Sequence, residues 1–300
     1  MGKTVAVIYN PTAGGGERSG ARERLVTAFA DNGVEARLLV VGTDGDATAL
    51  ARRAAGEGYE TVVAAGGDGT VSAVASALAG GQAALGVIPL GTLNHFAQDA
   101  GLPLDLEAAV RAIALGSAVP VDVGEVNGRV FVNNSSLGLY PRMVRRRARQ
   151  QERLGRSKWV AMAWAAVSML RRFPFLSVRL RDGEKDLVRR TPFVFIGNNE
   201  YTFAGFTIGK RERLDGGRLS LYVAHRPSRI GLLWLAVSAV FGRLRDVENF
   251  DVLVSHEFRI ETRRRRIAVA NDGEVSLMTA PLEYRLRPGA LRLLRVEAGG

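Results

Sequence analysis

Cysteine is absent from the 300 residues. That excludes disulfides, thiolate catalysis, zinc–thiolate sites and palmitoylation, fits a reducing compartment, and makes a cytoplasmic location the expectation. Acid is in short supply: 30 Asp and Glu stand against 41 Lys and Arg, a formal charge of +11. Nucleotides, anionic lipid headgroups and nucleic acid are therefore all attractive partners on charge alone. Long apolar runs are missing too. Trp159 to Leu170 and Ile230 to Phe241 are the longest, well short of the roughly 20 residues that span a bilayer, so any membrane contact is expected to be peripheral. The run that opens the chain lacks the length of a secretory signal and reads as a first strand ending at Asn10-Pro11. No helix-turn-helix, zinc or RNA-binding signature accompanies the basic charge, which argues against a specific nucleic-acid partner.

With 47% hydrophobic and 24% charged residues the composition is that of an ordinary globular protein, and the length suits two domains. Residues 1–121 alternate β-branched runs with Ala/Arg/Glu-rich runs of helical period, the pattern of βαβ units and a parallel sheet. Strands are expected at Val5–Tyr9, Ala36–Val41, Thr61–Ala65 and Leu85–Ile88, and helices at Glu17–Asn32, Asp46–Ala55, Val71–Leu78 and Leu106–Leu115. From Val119 the pattern turns to strands, the first two over Val119–Val126 and Arg129–Asn134. An Asn127-Gly128 turn joins the first two, and further strand-like runs lie at Leu176–Leu180, Thr191–Ile196, Leu219–Val223, Phe258–Glu261, Arg266–Ala270, Leu282–Leu286 and Leu291–Val296. Residues 122–300 are thus expected to form a β-sandwich with helices inserted near 156–172 and 228–243, the last strand free to pair with either lobe.

Three loops follow first-lobe strands and precede helices, where an open α/β sheet places its ligand crevice. Asn10-Pro-Thr-Ala-Gly14-Gly15-Gly16 can aim backbone N–H groups at phosphate, but no Lys-Ser/Thr pair follows, so it is not a Walker A loop. Gly66-Gly67-Asp68-Gly69-Thr70 is more specific. Glycines admit a polyphosphate, Asp68 can hold a metal or align an acceptor hydroxyl, and Thr70 can contact phosphate; the competing reading makes Asp68 a helix-capping residue. Pro89-Leu-Gly91-Thr92-Leu-Asn94 is the third loop.

In this order the three motifs resemble the diacylglycerol kinase catalytic family, which also includes sphingosine and ceramide kinases and bacterial lipid kinases. The resemblance extends to Asp122-Val-Gly, Arg213-Leu-Asp-Gly-Gly-Arg-Leu219 and Asn271-Asp-Gly-Glu274. It implies an ATP- and Mg2+-dependent lipid kinase with a first lobe like that of NAD kinase and phosphofructokinase. Gly66 to Val71 would form the phosphate loop, with Thr92 a nucleotide contact and Asn94 its support. Asp68 would organise the magnesium nucleotide and Glu274 would be the general base; read without the family, Asp272-Gly273 is a hairpin turn and Glu274 its solvated neighbour.

The sequence departs from the family pattern at several points. Asp215-Gly216-Gly217 lacks the second acid of a structural-magnesium loop, leaving Asp215 as the metal candidate. His95 stands where relatives commonly carry Asp, and Val41 where some carry a nucleotide-contacting Thr, for which Thr43 is the substitute. Five arginines between Arg142 and Arg149 precede an apolar run, a pairing that suits a lipid substrate at an anionic membrane surface and equally a solvated face. Trp159, Trp164 and Trp234 read as core. NAD kinase-like chemistry and basic nucleic-acid binding are the alternative functions; the sequence leaves a homodimer open.

Overall fold

The computed structural model describes residues 3–14, 20–42, 46–138, 176–182, 185–204, 207–211, 213–224 and 250–296. The inserted helices expected near 156–172 and 228–243, the three tryptophans and the arginines of 142–149 lie outside the described residues. The first lobe runs β1 (Lys3–Tyr9), α1 (Ala21–Asp31), β2 (Val34–Val40), α2 (Ala47–Gly56), β3 (Thr61–Gly66), α3 (Asp68–Leu78), β4 (Ala84–Pro89), α4 (His95–Asp99) and α5 (Leu106–Leu115). Its strands are parallel in the order β2-β1-β3-β4. Both faces of this sheet are covered, which is why β1 and β3 are continuously apolar. Val5 and Val7 face Leu25, Phe29, Val110 and Ile113 of α1 and α5, whereas Ala6 and Ile8 face Ala51, Ala54, Val74 and Leu78 of α2 and α3.

Two helix starts lie at glycines. α1 starts at Ala21, after Gly20 at φ +79°, which is outside helical space; the expected start at Glu17 lies outside the described residues. α3 starts at Asp68, three residues before the expected Val71; its first turn contains Gly69, whose low helix propensity is overridden by packing of Thr70 and Val71.

The second lobe is a β-sandwich. β5 (Ser117–Val126) and β6 (Arg129–Phe131) join through Asn127 and Gly128, both at positive φ, as a type I′ turn requires. The expected strand over 129–134 breaks at Val132–Asn133, where the chain crosses to the other layer as β7 (Asn134–Gly138). Then follow β8 (Leu176–Asp182), β9 (Lys185–Thr191), β10 (Phe193–Asn198), β11 (Tyr201–Ala204), β12 (Thr207–Arg211), β13 (Leu219–Ala224), β14 (Phe250–Ser255), β15 (Glu257–Thr262), β16 (Arg266–Asn271), β17 (Glu274–Thr279) and β18 (Leu282–Arg295). One layer is β14-β13-β10-β7-β16-β17. The other is built from β5, β6, β18, β15, β8 and β9, and Phe131, Leu137, Ile196, Leu219, Ile260 and Tyr284 fill the core between the layers.

β18 links the lobes. Leu282–Leu286 and Leu291–Val296 were expected as two strands; they form one, which pairs with β15 at its start and parallel to β4 near its end, and with β5 along most of its length. The register shifts between Arg287 and Leu291, where Pro288 and Gly289 make a bulge that a sheet tolerates. Asp122 sits opposite this bulge. Only 5% exposed, its carboxylate accepts the backbone N–H of Gly289 (2.9 Å) and of Gly217 (2.8 Å). Replacing Asp122 by Ala would leave both donors without that acceptor. The expected cost is about 3 kcal/mol of unfolding free energy, measurable as a lower urea midpoint.

Candidate active site

Three loops meet at the carboxyl ends of β1, β3 and β4. Asn10 N–H donates to Ala65 O (2.9 Å), and Leu90 N–H to Gly66 O (2.9 Å). The Asn10 side chain then spans two loops: its Nδ2 donates to Thr70 Oγ1 (3.0 Å), and its Oδ1 accepts from the backbone and hydroxyl of Thr12. Glycine is required where the loops touch. A Cβ on Gly66 would lie 2.5 Å from Thr70 Oγ1, and one on Gly91 would lie 2.7 Å from Gly67 Cα. α3 begins at this contact without a side-chain cap, so its first-turn N–H groups are open to an anion.

Asp68 is half-buried at the start of α3. Its Oδ1 accepts Phe96 N–H (3.2 Å), so this carboxylate does cap a helix, but the helix is α4. Asn94, at φ +50°, donates to Gly91 O (3.0 Å), and its Oδ1 is buried without a partner. The close Gly67–Gly91 approach, which admits no Cβ, and the open N–H groups of α3 are what fit a phosphate; the Asn94 oxygen, an acceptor, calls for a donor instead. Thr92 is exposed at the loop tip, as are Gly69, Gly14 and His95. Val71 does not line the cleft: its side chain is buried in the core and its N–H donates to Gly67 O. Gly15 and Thr43 lie outside the described residues.

From the second lobe a hairpin turn reaches α3. Asp272 (φ +46°) and Gly273 (φ +89°) connect β16 to β17, the hairpin turn read from the sequence, with Glu274 as the first residue of β17. The Asp272 carboxylate accepts four hydrogen bonds, from Ser72 Oγ (2.6 Å) and from the N–H groups of Val132 (2.9 Å), Asn133 (2.8 Å) and Asn134 (3.0 Å). Burial pushes this carboxyl up, and the four donors oppose the shift. Ser72 escaped sequence reading, although it lies one helical turn after Asp68 and so on the same face.

Glu274 opens β17 beside this clamp, and its side chain still reaches solvent. Its carboxyl is raised above the ordinary glutamate range, first by desolvation and then by the like charges of Asp272 and Asp46, with Arg129 opposing. Asp46 caps α2 in the first lobe, so Glu274 feels both lobes.

Asp215, the metal candidate, is engaged by a cationic side chain. Its carboxylate is exposed and paired with Arg213 (3.0 Å), which holds its carboxyl low. Among the described residues no group of three or more His, Cys, Asp or Glu is placed to bind a metal. A structural magnesium there would have to displace Arg213 and take its remaining oxygens from backbone carbonyls or water.

Known proteins resemble the chain over both lobes. Residues 4–126 match the family model of the diacylglycerol kinase catalytic domain, and residues 138–295 that of the YegS C-terminal NAD kinase beta sandwich-like domain. A Pseudomonas aeruginosa protein named "probable lipid kinase YegS-like" is 32% identical over 297 residues, covering 97% of this chain and 93% of that protein. A Bacillus subtilis diacylglycerol kinase is 38% identical over 134 residues, 44% of each chain. A crystal structure of a diacylglycerol kinase from Bacillus anthracis, 22% identical, superposes with TM-score 0.72 over 99% of this chain and 98% of that one, which shows the shared two-lobe fold. No described helix is long and apolar enough to cross a membrane.

The raised Glu274 carboxyl has a stability consequence. A folded-state value above the unfolded one stabilises the fold while the group is protonated, and that contribution is lost as pH rises through the folded value. Glu274→Gln, which mimics the neutral form, should therefore melt at or above the wild-type temperature at neutral pH. The difference should vanish below the ordinary glutamate range, as thermal scans against pH would show.

Proposed function

The chain belongs to the diacylglycerol kinase catalytic family, and from that membership we propose that it transfers the γ-phosphoryl group of ATP to the hydroxyl of a lipid, diacylglycerol or a related lipid alcohol. One observation carries the reading: Asp272, two residues before Glu274 in the second lobe, accepts from Ser72 of the helix that begins at Asp68 of the first. Family membership implies ATP. The glycine contact at Gly67 and Gly91 and the uncapped start of α3 support a phosphate site on the first lobe, with Asn94 bracing the loop through Gly91 O and Thr92 at the exposed rim.

Phosphoryl transfer needs positioning and charge neutralisation more than covalent help from the protein. Asp68 offers its carboxylate beside the phosphate loop, with Oδ1 oriented by Phe96 N–H, and is the residue that would hold Mg2+. A divalent ion bound there would neutralise phosphate charge. Glu274, more basic than an ordinary glutamate, takes the proton from the acceptor hydroxyl. The hydroxyl oxygen bonds to the γ-phosphorus, the bond to the β,γ-bridging oxygen breaks, and ADP leaves. A lipid acceptor presented at an anionic surface accords with the formal charge of +11, and peripheral membrane association is part of the proposal.

Asp68→Asn should abolish transfer with the fold intact. Glu274→Gln should lower turnover by about 10²–10⁴-fold, the usual loss for a general base, with little change in ATP affinity. Gly91→Ala should do the reverse of Glu274→Gln, weakening ATP first, since its Cβ would meet Gly67 Cα at 2.7 Å. Steady-state kinetics with a lipid alcohol and ATP distinguish the three; near-normal turnover in Asp68→Asn would refute the site.

A further inference from the structure

α4 spans five residues, His95–Asp99, too few to be stable by its own hydrogen bonds. Phe96 and Ala97 are buried beneath it, and each end is held by a carboxylate. At the start, Phe96 N–H donates to Asp68. At the end, the Asp99 carboxylate accepts Arg211 Nε at 2.9 Å across the lobe boundary; the Arg211 side chain has no exposed surface and that of Asp99 only 10%.

Arg211 ends β12 and all three of its guanidinium nitrogens are engaged. One terminal nitrogen donates to Val132 O (2.6 Å) and Asn198 O (3.3 Å), the other to Asn133 Oδ1 (2.7 Å), and the guanidinium lies 5.5 Å from the centre of the Tyr201 ring. The Tyr201 hydroxyl donates to Asn133 O (2.9 Å); burial pushes this phenol up to about 12, so it keeps its proton. Residues 132 and 133 are also donors to Asp272. The corner between β6 and β7 thus ties to α3 through Asp272 and to α4 through Arg211.

We propose that Arg211 is a positioning residue for phosphoryl transfer: through Asp99 and α4 it sets where the Asp68 carboxylate stands relative to the second lobe. This rests on the role given to Asp68 above. Planarity explains the residue type, because four acceptors spread around one plane suit a guanidinium and not the point charge of lysine.

The test uses Asp99→Asn, which keeps size and an acceptor oxygen, and Arg211→Lys, which keeps charge. Hydrogen exchange across residues 94–100 reads α4 without nucleotide or acceptor. Both variants should exchange there about tenfold faster, while the rest of the chain keeps its protection. ATP binding by calorimetry supplies the second arm. Asp99→Asn should weaken affinity about tenfold in the wild-type background, a coupling typical of one hydrogen-bonded network, and add nothing once Asp68 is Asn. Unchanged exchange at α4, additive effects on affinity, or faster exchange throughout the chain would overturn the proposal; the last would make Arg211 merely structural. A wild-type protein that binds no ATP would defeat the kinase reading itself, while the exchange arm still decides whether Arg211 holds α4.

Discussion

The Asp272 carboxylate, with its four donors, is the constraint from which the rest of the cleft follows. A buried charge is stable only when its acceptor capacity is filled, and here three consecutive backbone N–H groups of the second lobe and one hydroxyl of α3 fill it. The same bonds fix the turn that precedes Glu274 and dock the corner at 132–134 against α3. Asp122 makes a comparable join further along, holding the bulge of β18 to the loop at Gly217. Neither lobe contains both the glycine loops and Glu274, so chemistry that needs both depends on these carboxylates.

The arrangement divides labour on the proposed reading. The first lobe offers backbone and glycine, whose value is close approach: Gly66 lies over Thr70, and Gly91 against Gly67. The second lobe offers a carboxyl made more basic by desolvation and by its acidic neighbours. Deprotonating Glu274 in that setting costs folding stability, as is common for groups tuned for reaction rather than for the fold.

Much of this was legible in the sequence because it is local. Each first-lobe loop is a strand end, a glycine cluster and a helix start within about ten residues, and α5 lies where its periodicity placed it, between Asp105 as cap and Gly116. What escaped was long-range or locally ambiguous. Ser72 and Asp272 are 200 residues apart, and Asp99 and Arg211 are 112 apart, so no spacing rule joins them. Pro288-Gly289 read as a strand break because a bulge and a break look alike in one strand without its partner. The edge strands β9, β14 and β17 were missed: exposed Val188, Val252 and Leu277 blur the alternation that marks a half-buried strand. Asp215 matched a metal-loop pattern, yet Arg213, two residues away, takes its carboxylate.

The most direct test of the two-lobe transfer is to follow the γ-phosphate itself. The purified chain is incubated with ATP labelled at that position, phosphatidylglycerol vesicles containing diacylglycerol and other lipid alcohols, and NAD as a soluble competitor. The account predicts that label enters the lipid fraction as a phosphomonoester of one of the alcohols. Label recovered on NAD, or only as inorganic phosphate, would contradict it.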